Sequence, residues 1–279
     1  MKALRTPVCD LFGVELPIVQ TGMGWVSGAQ LTAATSAAGG LGILAAATLG
    51  TDELAAAIDR VQSRPDRPFG VNLRPDREDL PARCDLLIDR GVKVASFARA
   101  PARETIDRLK EAGVVVVPTV GARRHAEKVA AWGVDALICQ GHEGGGHTGP
   151  IPTTVLLPQV CDEVDLPVLA AGGFKDGRGL VAALAFGAQG VAMGTRFLLT
   201  RESRVPEPIK ARYLSTDAAG TVVTTAVDGV PQRVIRTDLV ERLEGGGWLS
   251  RLLRAAGHAL SLRRLTGATL AGLLGEGLA

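Results

Sequence analysis

Short apolar runs alternate with amphipathic segments along the first 200 residues of the chain. The apolar runs are rich in Val, Ile, Leu and Ala and have the length of buried strands, whereas the segments between them have helical spacing. Because most of these runs are apolar throughout, both faces of each strand should be buried, as in a parallel sheet that helices cover. The predicted strands are Pro17–Thr21, Leu41–Ala46, Phe69–Leu73, Val92–Ala98, Val114–Pro118, Val134–Gln140, Pro167–Gly173 and Gln189–Gly194.

Amphipathic helices are predicted between these strands. Eight strand–helix units in succession favour a closed (β/α)8 TIM barrel over an open, doubly wound sheet. The sequence has no GxGxxG motif opening a helix after the first strand, which weakens the Rossmann alternative. The predicted helices are Gly28–Ala38, a helix that begins at Thr51, Leu80–Arg90, Ala102–Ala112, Ala122–Trp132, Thr153–Val164 and Gly177–Phe186.

The alternation ends after Thr200. A helical piece is predicted at Pro208–Leu214, followed by two short β-like runs, Thr221–Thr225 and Gln232–Arg236. Asp228-Gly229 between these runs is a turn signal typical of a hairpin.

A leucine-rich tail, Trp248–Ala279, follows a glycine run that is interpreted as a hinge, Gly245–Gly247. The tail is predicted to be a helical cap over the barrel mouth or a packing face, with a membrane-surface role as the alternative. We therefore predict a barrel of residues 1–200 and a C-terminal lid and helical tail of residues 201–279 that packs on it.

Composition narrows the classes of protein and partner. A single α/β barrel of roughly 250 residues fits the 279-residue length, and a net charge of +2 argues against nucleic acid as the main partner. The four cysteines have no zinc spacing and are expected to be reduced thiols of a cytoplasmic protein, with no metal site. The uncharged run Gly179–Thr195 contains glycines and a glutamine, so no membrane span is predicted. The sequence is compatible with a homodimer.

The segment from Gln140 to Pro150 is the most distinctive candidate for chemistry. It contains five glycines together with His142, Glu143 and His147, directly after an apolar strand. Such glycine density marks a place where the backbone bends sharply or lies against a ligand. An imidazole in such a loop is well placed to transfer a proton.

Other strand ends add a coherent set of candidates, because the active site of a TIM barrel lies at the carboxyl ends of its strands. Glycines after the last two strands predict a phosphate site made of backbone N–H groups. A cofactor with one phosphate and a flat apolar ring would then reach from these turns toward the first and third strands, and FMN fits this layout better than NAD. The strand ends supply Gly22, Met23, Gly24, Asn72, Gln140, Gly172, Gly173, Met193, Gly194 and Thr195.

These motifs resemble the nitronate monooxygenase (2-nitropropane dioxygenase) family of FMN enzymes, which includes the FMN-dependent enoyl reductases of bacterial fatty-acid synthesis. The resemblance covers about Leu4 to Leu239 and rests on PIVQTGMGWVSG with AAGGLGIL, then FGVN, QGHEGGGHTG and PVLAAGGFKDGRGLVAALAFGAQGVAMGTRFL. Within the family, the chain is similar to actinobacterial members implicated in breaking down steroid rings as coenzyme A thioesters, whose loop reads GEGGGHTGP.

The resemblance implies a role for each matching residue. His147 takes the position of the family's catalytic histidine, and the FMN contacts fall on Gly22, Met23, Asn72, Gln140, Gly145, Gly173, Gly194 and Thr195, to which we add the neighbouring Gly24, Gly146, Gly172 and Met193. His142, Glu143 and Arg196 are candidate substrate residues; Glu143 is also a candidate for holding the loop. His142 departs from the family pattern, which has a small residue there, and should narrow the ring pocket.

The implied activity is an FMN-dependent oxidoreductase that acts at an activated, carbanion-like carbon. Its substrate would be a coenzyme A thioester from steroid-ring catabolism or, alternatively, an alkyl nitronate oxidised with molecular oxygen. A non-catalytic flavin-binding barrel is a further alternative. A phosphosugar aldolase or isomerase is disfavoured, because no Schiff-base lysine or carboxylate pair follows the strands. Cys139 lies near the end of the sixth strand, where a thiol nucleophile could act. It is one residue before the strand end, however, and has no reactive loop around it, so it is interpreted as a residue of the hydrophobic core.

Overall fold

The structure, a computed structural model, describes residues 4–64 and 67–245 of the chain. Eight parallel strands close into a barrel because β9 pairs with β1, with Val19 beside Ala192. This architecture confirms the predicted (β/α)8 TIM barrel. The barrel strands are β1 (Ile18–Gln20), β2 (Leu41–Ala45), β3 (Phe69–Leu73), β4 (Val94–Phe97), β5 (Val115–Val120), β6 (Leu137–Gln140), β8 (Val168–Ala171) and β9 (Gly190–Met193); β7 (Gly146–His147) lies outside the barrel.

Helices follow the barrel strands, as the spacing predicts. None of the helices within the described ranges combines the length and hydrophobicity needed to cross a bilayer. The helices are α1 (Pro7–Phe12), α2 (Ala29–Ala37), α3 (Thr51–Gln62), α4 (Leu80–Asp89), α5 (Arg103–Glu111), α6 (Arg123–Ala131), α7 (Thr153–Glu163), α8 (Gly177–Ala185), α9 (Thr195–Leu198), α10 (Glu207–Ser215) and α11 (Asp238–Glu244).

Two hydrophobic layers hold the barrel together. The outer layer packs the strands against the helices, and the inner layer fills the barrel itself. Helix α1 contributes Val8, Cys9 and Phe12 to the inner layer, and the Thr6 hydroxyl before it donates to the carbonyl of Gln189 at the start of β9. Helix α1 therefore closes the amino-terminal end of the barrel and leaves the opposite end for a ligand.

The C-terminal part of the described chain attaches to the barrel through a small sheet. Strands β10 (Thr221–Thr224) and β11 (Gln232–Ile235) form the predicted hairpin. Strand β11 also pairs with β7, so Gln232 lies beside His147 and Arg233 beside Gly146. Gly245 is the last described residue, so the rest of the predicted hinge and the predicted helical tail Trp248–Ala279 lie outside the described residues.

Candidate active site

A cavity of about 790 Å³ opens at the carboxyl ends of the barrel strands. This volume lies within the range of small-molecule and cofactor sites. Its wall includes every predicted cofactor residue: Gly22, Met23, Gly24, Asn72, Gln140, Gly145, Gly146, Gly172, Gly173, Met193, Gly194 and Thr195. His147, Glu143 and Arg196 also line it, whereas His142 is not part of the wall.

The loop after β1 is shaped by buried polar groups. The Gln20 side-chain amide donates to the Ser27 hydroxyl over 2.9 Å, and that hydroxyl in turn donates to the carbonyl of Thr21 over 2.9 Å. The backbone N–H of Met23 also donates to the Ser27 hydroxyl over 2.9 Å. These bonds fix the shape of the loop, and a Cβ atom on Gly22 would lie only 2.3 Å from the Cβ of Asn72 in β3. Glycine at position 22 is therefore required by close approach.

The turns after β8 and β9 expose backbone donors to the cavity. Gly172 and Gly173 have φ angles of +97° and +84°, which side chains of other residues adopt only with strain. Among the described residues, no acceptor receives a hydrogen bond from the backbone N–H of Gly173, Gly194 or Thr195. Because these two strands are adjacent in the barrel, their unused donors lie along one edge of the cavity.

Glu143 ties the glycine-rich loop to the start of α7. Its carboxylate accepts hydrogen bonds from the backbone N–H of Thr153 over 2.9 Å and from the Thr153 hydroxyl over 2.6 Å. Burial raises the pKa of the Glu143 carboxyl, but these hydrogen bonds outweigh that effect and leave the pKa below its usual value. Glu143 is therefore an ionised group that holds the loop, in addition to lining the cavity.

His147 faces a carboxylate from the C-terminal hairpin. Its Nε2 lies 2.8 Å from Oδ2 of Asp228, and the Gln140 side-chain amide donates to its backbone carbonyl over 2.5 Å. Burial raises the pKa of Asp228, but the hydrogen bond from His147, the positive charge of that ring when protonated, and the hydrogen bonds from Val230 and Gln232 outweigh this effect and keep the pKa below its usual value. An ionised carboxylate thus lies beside the candidate catalytic histidine.

His142 has a different position from the one predicted. Its Nδ1 lies 2.9 Å from the carbonyl of Gly149, and its own carbonyl accepts a hydrogen bond from the Arg233 guanidinium over 3.2 Å. The ring thus pairs with the backbone of its own loop. His142 is not part of the cavity wall and therefore does not narrow the pocket.

Sequence reasoning missed several polar residues of the wall. Asp228 does not line the cavity but pairs with His147; the sequence indicates only a turn there, because a sequence pattern does not show which loop a hairpin will contact. Helix α10 and the hairpin supply residues far along the chain from the barrel motifs. The missed polar wall residues include Thr21, Ser96, Thr119, Lys175, Tyr213, Thr216, Asp217, Thr221 and Arg233.

Cys139 belongs to the hydrophobic layer between strands and helices, as interpreted from the sequence. It is fully buried, and burial raises the pKa of its thiol to about 12. Because the thiolate is the nucleophilic form, this cysteine is unsuited to covalent catalysis.

Comparisons with known proteins agree on one family. The sequence model of the nitronate monooxygenase family matches residues 5–84 and 77–263. A relative in Mycobacterium tuberculosis named (3aS,4S,5R,7aS)-5-hydroxy-7a-methyl-1-oxo-octahydro-1H-indene-4-carboxyl-CoA dehydrogenase is 59% identical, over 99% of this chain and 78% of the relative. A relative of the same name in Rhodococcus jostii is 57% identical, over 100% of this chain and 79% of the relative.

A solved structure has the same fold. FabK from Thermotoga maritima superimposes with a TM-score of 0.87 and 37% sequence identity, and the match covers 95% of this chain and 88% of FabK. The similarity therefore extends over the barrel and the C-terminal part together.

Proposed function

Because the chain belongs to the nitronate monooxygenase family of oxidoreductases, we propose that it is an FMN-dependent dehydrogenase of a coenzyme A thioester from steroid-ring breakdown. The observation that carries this proposal is one cavity that contains both unused backbone donors, at Gly173, Gly194 and Thr195, and the imidazole of His147. The donors suit a phosphate group, and the imidazole suits a proton.

The residues of the cavity fit FMN. The three N–H groups would hold its phosphate at the turns after β8 and β9. Glycine at these turns lets the backbone approach a ligand closely, and the positive φ angles of Gly172 and Gly173 require glycine. The inner wall offers apolar surface for a flat ring through Ile138, Ala171, Ala192 and Met193.

His147 is proposed to handle the proton of the reaction. When bound, FMN would take a hydride from the substrate, that is, both electrons and one of the two hydrogens lost in the oxidation. The imidazole accepts the proton that leaves at the same time, which a neutral histidine can do near pH 7. The side chain of His147 is 52% exposed and the residue lines the cavity, so a substrate has access to it.

The substrate assignment rests on the two relatives named as dehydrogenases of a bicyclic coenzyme A thioester. The part of the cavity beyond the barrel is lined by Tyr213, Thr216, Val234 and Ile235, a mixed surface that suits a ring system carrying a few polar groups. Two cations at the rim, Lys175 and Arg196, are proposed to pair with phosphates of the coenzyme A portion.

Replacing the proposed catalytic residue tests this function. His147→Ala should lower turnover of a hydrindane-type coenzyme A thioester by about 10²- to 10⁴-fold, the usual contribution of general acid–base catalysis, while bound flavin keeps its visible spectrum. His125→Ala is a matched control, because His125 is exposed on α6 and does not line the cavity. Full turnover by His147→Ala would rule out the catalytic role.

A second candidate function is oxidation of an alkyl nitronate with molecular oxygen, which the matched family's name supports. Propionate 3-nitronate under air and the thioester with an artificial electron acceptor separate the two. Turnover of the nitronate alone would replace the first proposal by the second.

Cytoplasmic location and a homodimer stay predictions.

A further inference from the structure

We propose that Asp228 is a positioning residue that fixes the tautomer of His147, so that the C-terminal hairpin completes the active site. The inference rests on the proposed function, in which His147 exchanges a proton with the substrate. Its starting point is the 2.8 Å contact between Nε2 of His147 and Oδ2 of Asp228, two residues 81 positions apart.

The chemistry of the pair decides where the histidine carries its proton. Asp228 is 17% exposed, and its hydrogen bonds keep it ionised near neutral pH. An ionised carboxylate only accepts hydrogen bonds, so the neutral imidazole must donate through Nε2–H. The lone pair of the ring is then on Nδ1, and a proton taken from the substrate is bound there.

The carboxylate is held in this orientation by two other donors. Its second oxygen, Oδ1, accepts the backbone N–H of Val230 over 3.1 Å and the side-chain amide of Gln232 over 3.0 Å. The backbone N–H of Thr148 donates to the carbonyl of Pro231 over 3.0 Å, which fixes the histidine loop to the hairpin. Oδ2 is therefore committed to His147.

These bonds give asparagine an unusual effect at position 228. In Asp228→Asn, Val230 and Gln232 both require an oxygen at the Oδ1 position, so the NH₂ group of the new side chain must face Nε2 of His147. That group donates and forces the proton of the ring onto Nδ1, the wrong nitrogen. In Asp228→Ala no amide group at position 228 forces the proton onto Nδ1. A residue that only shaped the turn would show the opposite order, because asparagine keeps both turn hydrogen bonds.

Kinetics of the FMN-loaded full chain test this order. We expect kcat to fall by up to about 10⁴-fold in Asp228→Asn, the loss that follows when a catalytic histidine is held in the wrong tautomer, and less in Asp228→Ala. Asp85→Asn is the matched control, because Asp85 forms an exposed ion pair with Arg108 on the outer helices. An Asp228→Asn variant that matches the wild type, or exceeds Asp228→Ala, would overturn the inference.

Nitrogen NMR of ¹⁵N-histidine-labelled protein reads the tautomer without activity. The signals of His147 are assigned by their loss in His147→Ala. We expect the Nε2–H tautomer in the wild type and the Nδ1–H tautomer in Asp228→Asn; the same tautomer in both would contradict the inference, whatever the kinetics. Full activity of His147→Ala would instead refute the proposed role of His147 in catalysis, whereas the NMR comparison would still show whether Asp228 sets the tautomer of the ring. If Asp228 acts through His147, adding Asp228→Asn to His147→Ala causes no further loss of kcat.

Discussion

Gly22→Ala tests the close approach between the loop after β1 and strand β3. The added Cβ would lie 2.3 Å from Cβ and 2.9 Å from Cγ of Asn72. Ordinary carbon–carbon contacts begin near ~3.5 Å, so the first distance is about 1.2 Å too short. The strand is fixed in the barrel ladder, and the loop must therefore move outward, together with Met23 and the wall of the cavity.

Overpacking of this kind costs about 1–3 kcal/mol. If the folded state bears the cost, the melting temperature falls by roughly 2–12 °C. If FMN binding bears it, the dissociation constant rises about 5- to 150-fold. Thermal unfolding without FMN measures the cost to the folded state, and a titration of FMN by flavin fluorescence measures the cost to binding. The two free-energy costs together should amount to about 1–3 kcal/mol. Gly177→Ala is the matched control, because a Cβ there contacts nothing within 4 Å.

Second substitutions at Asn72 identify the clashing atom. Asn72→Ala keeps the Cβ that lies 2.3 Å from the new methyl group, so it should not relieve Gly22→Ala. Asn72→Gly removes that atom and should recover part of the loss, relative to Asn72→Gly alone. Unchanged stability and FMN affinity in Gly22→Ala, or equal recovery by both second substitutions, would refute the steric reasoning.

Two further predictions concern the phosphate turns and the loop anchor. Gly173→Ala places a side chain at φ +84°, which costs about 1–2 kcal/mol. The turn should relax and rotate its N–H group away from the phosphate. FMN binding should therefore weaken by about tenfold, whereas binding of riboflavin, which has no phosphate, should change little. Equal losses for both flavins would contradict a phosphate site there. Glu143→Gln should lower the melting temperature at pH 7, because the carboxylate accepts two hydrogen bonds from Thr153. The pKa of Glu143 is lower in the folded state than in the unfolded state, so its contribution to stability is present above about pH 4 and is lost as the pH falls through the folded pKa. The difference in melting temperature between wild type and Glu143→Gln should therefore shrink in acid. A difference that stays constant with pH would refute this role.

The barrel could be predicted because its strands are simple. Each is a short apolar run, and their C-terminal ends carry the glycines that the site needs, so the strand ends and the cavity wall coincide. Helix α1 was not predicted, because its six residues are too few to show helical periodicity. Its apolar side chains do not distinguish it from an irregular N-terminal segment.

Contacts made by the C-terminal hairpin could not be predicted. The sequence indicates the turn at Asp228, but the carboxylate gains its role only when β11 pairs with β7, a strand of two residues in a loop of low strand propensity. The position of His142 was also beyond the sequence pattern, because its ring pairs with the carbonyl of Gly149 and its own carbonyl accepts a hydrogen bond from Arg233 of the hairpin. Both depend on packing between segments that are distant in the chain.

The visible spectrum of the purified full chain, followed by mass identification of the released flavin, tests the central claim most directly. A mononucleotide phosphate held by the turns after β8 and β9 predicts yellow protein that releases one FMN per chain. Colourless protein that does not take up FMN, or protein that binds riboflavin as tightly as FMN, would contradict it.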